Sequence, residues 1–332
     1  MTPRMVTKDR DPLLTERGKR PAERSIEELL AGGVINLDKP MGPTSHQVTA
    51  WVRDVLGVER IGHGGTLDPK VSGVLPIALG KATKATDLVL RSDKEYVCLM
   101  TLHRDTEEAK LRRVLMTFVG DIYQMPPVRA AVKRQLRVRR VQSIKILQIK
   151  GRDVLFLVEC DAGTYIRTLC VDAGEAMGMG AHMEELRRTR SGSMRERESV
   201  SLQDLKDAFV YWKEGDESHL RKMLAPMEVL LEPLPKVVLK DSSVDAICHG
   251  ADLAVVGIAK LEPSISRGDL VALMTQKGEG VALGIAQMSG EEMGKAREGI
   301  ALRTDRVFME PGTYPKMWET STVTKGGTSG AL

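Results

Sequence analysis

No run of 18 or more apolar residues occurs in the 332-residue chain, which leaves no candidate for a membrane-spanning helix. The opening stretch MTPRMVTKDRDPLLTERGKRP is charged where a signal peptide would carry an apolar core, so a cytoplasmic protein without membrane association is expected. Cysteine is scarce. Cys98, Cys160, Cys170 and Cys248 are far apart with no CxxC pair, which excludes a zinc ribbon and a disulfide framework and leaves small core residues of a reducing compartment. Six His residues form neither an HExxH nor a Cys/His cluster, so no metal site is expected. Nucleotide motifs also fail. LGKAT at 79–83 resembles the end of a P-loop, but Ala82 stands where magnesium needs Ser or Thr, and Gly73 lies seven residues before Gly80 instead of five. GHGG lacks the GxGxxG spacing.

What is present suits a globular protein of two domains, with 42% hydrophobic residues and only 4% aromatic ones. The net charge of +4 is too small by itself to imply a polyanionic partner, yet it is unevenly spread. Nine Lys or Arg and no acid lie between Arg129 and Arg152, among them Lys133, Arg134, Arg137, Arg139 and Arg140. A solvated surface loop and a surface that meets RNA or DNA phosphate are both open on charge alone, and the one-sidedness favours nucleic acid.

Residues 1–32 read as an extension ending in the amphipathic piece IEELL. GVINLDKP at 33–40 predicts a strand, Thr44 or Ser45 an N-cap, and Val48 to Leu56 a helix stopped at Gly57. A strand is expected at 95–103, a helix at 107–118, strands at 141–149 and 154–160, and helices at 167–177, 181–188 and 202–209. The alternation is irregular, which argues for an α+β fold around a mixed sheet over a doubly wound parallel one. After the proline-punctuated PMEVLLEPLP, short strand-like runs separated by Gly or polar turns, with a helix at 243–249, predict a small β-barrel. The Ser/Thr/Gly-rich tail is expected to be disordered.

Two segments carry chemical character. GHGGTLDP at 62–69 combines flexible glycines, His63 and an acid, Asp68, set between Leu67 and Pro69. Spacing leaves open whether Asp68 satisfies its own turn or faces a cleft. DAGTYIRTLC at 161–170 places Tyr165 and Arg167 two apart on a strand-like stretch, hence on one face, where a surface ion pair is the plain alternative.

GVINLDKPMGPTS, GHGGTLDPKVSGVLP, KEYVCLMTLH, PPVRAAVKRQLR, GTYIRTL and GAHMEELRRTRSG resemble, in order, the signature segments of the TruB branch of pseudouridine synthases. Within it the chain is most similar to the dyskerin type that serves box H/ACA guide-RNA particles. The resemblance runs from about residue 20 to 318 and includes GKRPAERSIEELL, PMEVLLEPLPKVVLKDSSV, HGADLAVVGIAKL and YPKMW. It implies a mixed-sheet catalytic domain at 33–230, a PUA domain at 235–312 that holds RNA ends, an extension at 1–32 packing on the PUA domain, and a flexible tail at 319–332.

By the resemblance, Asp68 takes the place of the catalytic nucleophile. Tyr96 matches the tyrosine that stacks on the extruded uracil and takes part in proton transfer, though the residue alone reads as a core tyrosine. Arg167 matches the arginine that pairs with the nucleophile. Tyr165 and Leu186 match residues packing around the base, with Ile166 as neighbour, and His63 the histidine that enters the vacated space. Lys39 and Pro40 match a motif near the active site and read as structural. The basic stretch 129–152 overlaps a mobile thumb loop gripping RNA. No cofactor is implied. The implied partners are a box H/ACA guide RNA, rRNA and tRNA substrates, a small zinc-ribbon-like protein, a small β-barrel protein governing turnover, and a kink-turn-binding ribosomal-type protein. A guide-independent tRNA enzyme and a catalytically silent RNA scaffold are the rival readings.

Overall fold

The computed structural model describes residues 5–9, 15–126 and 135–316. These fall into two compact units, one spanning Arg24–Pro233 and one joining Met1–Glu23 to Leu234–Leu332. The chain opens with β1 (Val6–Thr7), part of the second unit.

The first unit begins with α1 (Ile26–Gly32), β2 (Gly33–Lys39) and α2 (Ser45–Leu56). Thr44 caps α2 through a capping box with Gln47, and Gly57 ends it in a left-handed turn. There follow β3 (Ile61–His63), β4 (Val71–Leu79), α3 (Thr86–Arg91), β5 (Lys94–Leu102), α4 (Glu108–Met116) and β6 (Gly120–Gln124). Next come β7 (Arg137–Lys150), β8 (Asp153–Cys160), α5 (Ile166–Ala176), β9 (Ala181–Ser191) and β10 (Met194–Arg195). The unit closes with α6 (Leu202–Lys213), α7 (Ser218–Met223) and β11 (Ala225–Pro226).

Ten strands make one mixed sheet along the path β11-β2-β4-β9-β5-β8-β7-β6, with β3 on β4 and β10 on β9. β4 and β9 run parallel, with Val71 opposite Leu186 and Gly73 opposite Arg188. One apolar cluster packs α4 and α5 onto β5, β7 and β8 through Leu111, Leu115, Leu169, Phe156 and Val158. A second packs α1, α2 and α6 onto β2 and β4 through Ile26, Val48, Val52, Leu205, Ile35 and Leu75. All four cysteines are buried thiols, and the Cys98 and Cys170 sulfurs lie 3.6 Å apart.

In the second unit, β12 (Lys236–Leu239), α8 (Asp241–Cys248), β13 (Leu253–Ala254), β14 (Ile258–Leu261), β15 (Leu270–Met274), β16 (Gly280–Ala286), α9 (Gly290–Lys295) and β17 (Ile300–Val307) follow in order. Their sheet has the order β1-β14-β12-β15-β16-β17-β13. The N-terminal residues are tied to it: Val6 pairs with Leu261, and the buried carboxylates of Asp241 and Glu279 accept from the Thr15 and Lys19 amides at 2.7 and 3.0 Å.

Four expectations are corrected. Residues 181–188 form strand β9, not a helix: their helix-forming Ala, Met, Glu and Leu are overridden by pairing with β5 on one side and β4 on the other. Tyr165 and Arg167 do not share a strand face. Gly163, at φ +78°, and the Thr164 hydroxyl bond to the Asp161 carbonyl turn the chain after β8, and α5 starts at Ile166 with Tyr165 as its N-cap. The basic segment is no loop from Arg137 onward, because β7 is held between β6 and β8. Arg129, Lys133 and Arg134 lie outside the described residues, as does the tail at 319–332. Finally, the extension divides at Arg24, not Gly33, because Ile26 and Leu29 of α1 are buried in the core of the first unit.

Candidate active site

The loop between β3 and β4 carries Asp68, and the turn that follows β2 holds it from below. The Lys39 ammonium, fully buried, donates to the carbonyls of Pro40 and Val71 at 2.8 Å each and of Pro69 at 3.4 Å. Gly42 N–H reaches the Pro69 carbonyl at 2.8 Å. The buried Ser45 hydroxyl accepts from Leu67 N–H at 2.8 Å and donates to the Leu67 carbonyl at 3.0 Å. Backbone groups on both sides of Asp68 are therefore fixed while its carboxylate stays half exposed, 56% by side chain. That combination is preorganisation: the acid keeps access to a substrate and loses little freedom on binding one.

The partner of Asp68 is Arg167, whose Nη2 donates to Oδ2. Arg167 is in the first turn of α5, and the adjacent Tyr165 backbone is locked by the buried Gln124 amide. Its oxygen accepts from Tyr165 N–H at 2.9 Å, and its Nε2 donates to the Tyr165 carbonyl at 3.0 Å. Gln124 went unnoticed in the sequence, where a lone Gln before Met-Pro-Pro carries no signal.

Tyr96, on β5, lies between Val158 of β8 and Arg188 of β9 and packs on the cluster containing Leu67, Ile166 and Leu186. Asp68, Tyr96, Tyr165, Arg167 and Leu186 are thus carried by elements that converge on one end of the sheet. Tyr96 is half-buried; burial pushes its hydroxyl pKa up from the ordinary value, the neighbouring Arg188 charge opposes this, and the hydroxyl stays protonated at neutral pH.

His63, at the end of β3 opposite Ile77, packs edge-on to His46 with ring centroids 5.0 Å apart. Burial first, then His46 and Arg188, lower its pKa, so the ring is neutral at physiological pH. Lys39 is lowered by burial, against which the Asp68 charge works.

Arg188, also missed in the sequence, is fully buried. Its Nε donates to the Val74 carbonyl at 2.7 Å and its Nη2 to the Gly65 carbonyl at 3.0 Å. Gly73 must be glycine: its φ is +103°, and a Cβ there would lie 2.2 Å from the Arg188 carbonyl oxygen. Next to Arg188 is Lys94, buried and held by the Val89 carbonyl at 2.8 Å, with its pKa lowered by burial to about 8. The unfolded chain holds that proton up to about 10.5, so the native state gains stability as pH rises from about 8 to 10.5 and loses it as pH falls through 8. In thermal melts at stepped pH, the wild type is expected to gain Tm relative to Lys94→Met across that window. A flat difference refutes the assignment.

Among the described residues no group of three or more His, Cys, Asp or Glu is placed to hold a metal ion, and no helix is long and apolar enough to cross a membrane.

Comparisons with known proteins cover nearly the whole chain. The model of the TruB family pseudouridylate synthase N-terminal domain matches residues 53–166, and that of the tRNA pseudouridylate synthase B C-terminal domain matches 167–232. A PUA domain matches 235–308 and a DKCLD domain 2–49. A protein of Methanothermobacter thermautotrophicus called "Probable tRNA pseudouridine synthase B" is 56% identical over 91% of this chain and 93% of its own length. One of the same name from Pyrococcus furiosus is 56% identical over 91% and 89%. The fold superposes on a chain of a Cbf5-Nop10-Gar1 complex with TM-score 0.90 and 53% identity, covering 95% of this chain and 97% of that one. It also superposes on a chain of an H/ACA RNP bound to a substrate RNA containing 2'-deoxyuridine, with TM-score 0.90 and 51% identity over 96% and 98%. With identity above half along nearly the whole length, and the acid, tyrosine and arginine gathered at one site, the chain belongs to the TruB family of pseudouridine synthases.

Proposed function

We propose that the chain converts uridine to pseudouridine in rRNA under the direction of a box H/ACA guide RNA, and also acts on the TΨC-arm uridine of tRNA. The observation that carries this reading is the Asp68–Arg167 pair on a loop held by Lys39, Gly42 and Ser45, beside Tyr96. The reaction breaks the bond from uracil nitrogen to the sugar, turns the base, and rejoins it through ring carbon 5, whose proton is released. A carboxylate suits this because it can attack or steady an oxocarbenium-like sugar carbon and then leave.

Asp68 is the nucleophile, and Arg167 holds and aims it. The uridine must leave its stack to reach them. Tyr96 then stacks on the base, Tyr165 and Leu186 pack around it, and His63, uncharged, fills the space vacated in the RNA. Pairing with a guide supplies sequence specificity, and the enzyme reads shape and backbone. Protein partners of the kind named in the matching complexes, Nop10 and Gar1, are proposed to complete the particle, along with a kink-turn-binding protein. Buried free thiols suit work in a reducing cytoplasm. The relatives' names favour a second reading, a guide-independent tRNA enzyme.

Tritium release from RNA labelled at uridine carbon 5 separates the readings. Release that needs guide and partner proteins supports guide direction, and release from tRNA alone supports the guide-free activity. Tight RNA binding without release in any mixture leaves a scaffold.

Arg137, Arg139 and Arg140 stand along β7 at the sheet's edge region. Replacing all three by Gln is expected to weaken RNA binding and reduce the slope of log affinity against log salt by about 2, as for roughly three phosphate contacts to a single strand. An unchanged slope would make this stretch an ordinary solvated strand.

A further inference from the structure

Among the described residues Arg188 is the largest fully buried side chain, and it is a cation. Burying a guanidinium is costly unless its charge and N–H groups are answered. Its backbone lies directly opposite Tyr96 on β5 and opposite Gly73 on β4. Direct partners in an antiparallel pair project to the same face, so the guanidinium and the Tyr96 ring share the side of the sheet beneath the Asp68 loop.

Two of its groups are answered by neutral carbonyls, Val74 and Gly65, the second inside GHGGTLDP itself. The remaining side-chain partner is the Tyr96 hydroxyl, and among the described residues no carboxylate forms an ion pair with Arg188. The buried ammonium groups of Lys94 and Lys39 are adverse neighbours. The cation therefore has no resident anion and one neighbour that can become an anion.

We propose that Arg188 is a positioning residue for the isomerisation: it acts as counter-ion to Tyr96 when that side chain serves as the base for ring carbon 5, while holding the Gly65 peptide of the nucleophile's loop. This rests on the reading of Asp68 and Tyr96 given above. The tyrosinate oxygen takes the proton from carbon 5 and becomes the neutral hydroxyl. The electron pair of that C–H bond returns to the ring and restores the uracil, and the hydroxyl later passes its proton to water. The structure supplies a reason for a cation here: burial, together with Cys160 from β8 and Asp68 from the loop, disfavours tyrosinate, and Arg188 from β9 opposes all three. Removing it makes the base form rarer at any given pH.

The test uses the full chain in its assembled particle, with the variants Arg188→Met and Arg188→Lys, each also in a Tyr96→Phe background. Arg188→Met is expected to lower turnover by about 10- to 100-fold with RNA affinity unchanged. The limb on which rate climbs with pH should move to higher pH, the isotope effect from deuterium at carbon 5 should grow, and Arg188→Lys should recover part of both. In the Tyr96→Phe background the same substitution should cost little more, because the two act as one unit. Additive losses, or lower turnover with the pH profile and isotope effect unmoved, overturn the proposal. Should Arg188→Met fail to fold, Arg188→Lys decides by the same two readouts. Should the wild type show no turnover, the functional reading falls. The contact is then read by itself from the ultraviolet tyrosinate titration, as the difference between each protein and its Tyr96→Phe form. An unshifted titration in Arg188→Lys overturns it.

Discussion

Asp68→Asn is expected to lose turnover by roughly 10⁴-fold or more, the scale seen when a nucleophile that acts as part of a unit is removed. The amide keeps the shape of the carboxylate and can still accept from Arg167, but it has no charge with which to steady a cationic sugar carbon. RNA affinity should be retained, since the substitution removes a negative charge from a surface that meets phosphate. Stability should hardly change, because the Asp68–Arg167 pair is about half exposed on both sides, and pairs so exposed contribute little. Tritium release and a filter-binding titration on the same preparation check this. Turnover close to wild type by the variant would remove Asp68 from the chemistry.

Lys39→Met is expected to have the second largest effect, through geometry. Its ammonium answers the carbonyls of Pro40, Pro69 and Val71, and the last two tie down the chain just after Asp68, where the loop runs into β4. Methionine fills the volume and leaves the buried carbonyls unanswered, which costs about 1–3 kcal/mol for such groups. A loop that then shifts by an ångström loses about 10²-fold in rate. Turnover should therefore fall with RNA affinity retained, and Tm should fall with it. Denaturation and single-turnover kinetics on one preparation settle the matter, and a stable variant with a normal rate would show that Ser45 and Gly42 hold the loop unaided.

The parts of this site that could be read along the chain are those whose roles follow from short contiguous segments. Asp68 in GHGGTLDP, Tyr96 in KEYVCLMTLH and Arg167 in GTYIRTL each carry their own context. What could not be read is who supports them, because that support is created by pairing between distant strands. Gln124 reaches Tyr165 only once β6 and α5 are brought together. Ser45 presents itself as a capping residue, and the cap is Thr44, which frees the Ser45 hydroxyl to bind Leu67.

The error at 181–188 concealed Arg188. Taken as a helix, LRRTR scatters its arginines around a cylinder. Taken with period two, it puts Leu186 and Arg188 on the buried face and Arg187 on the other, where Arg187 bridges Asp38 at 2.8 Å and Glu196 at 2.5 Å. A charged residue in step with a buried leucine was the available signal. Tyr165 and Arg167 failed for the opposite reason: a short span with a β-branched residue looks extended, and the turn made by Gly163 and Thr164 starts a helix instead.

The placing of β9 governs how the catalytic unit can be made. It lies between β4 and β5, two strands that leave the ribosome well before it. Until residues 181–191 emerge, both flanking strands have an open edge: Gly73 is paired with Lys39 alone and Tyr96 with Val158 alone, and the Arg188 side of each is unfilled. Pairings across such separations are slow to close, and open edges invite association with other chains. The nucleophile's loop and the tyrosine therefore come into alignment together, at the last insertion into the sheet. A nascent or truncated chain ending before β9 would hold Asp68, Tyr96 and Arg167 without the strand that brings them into one site, and synthesis itself delays competence until the sheet is whole.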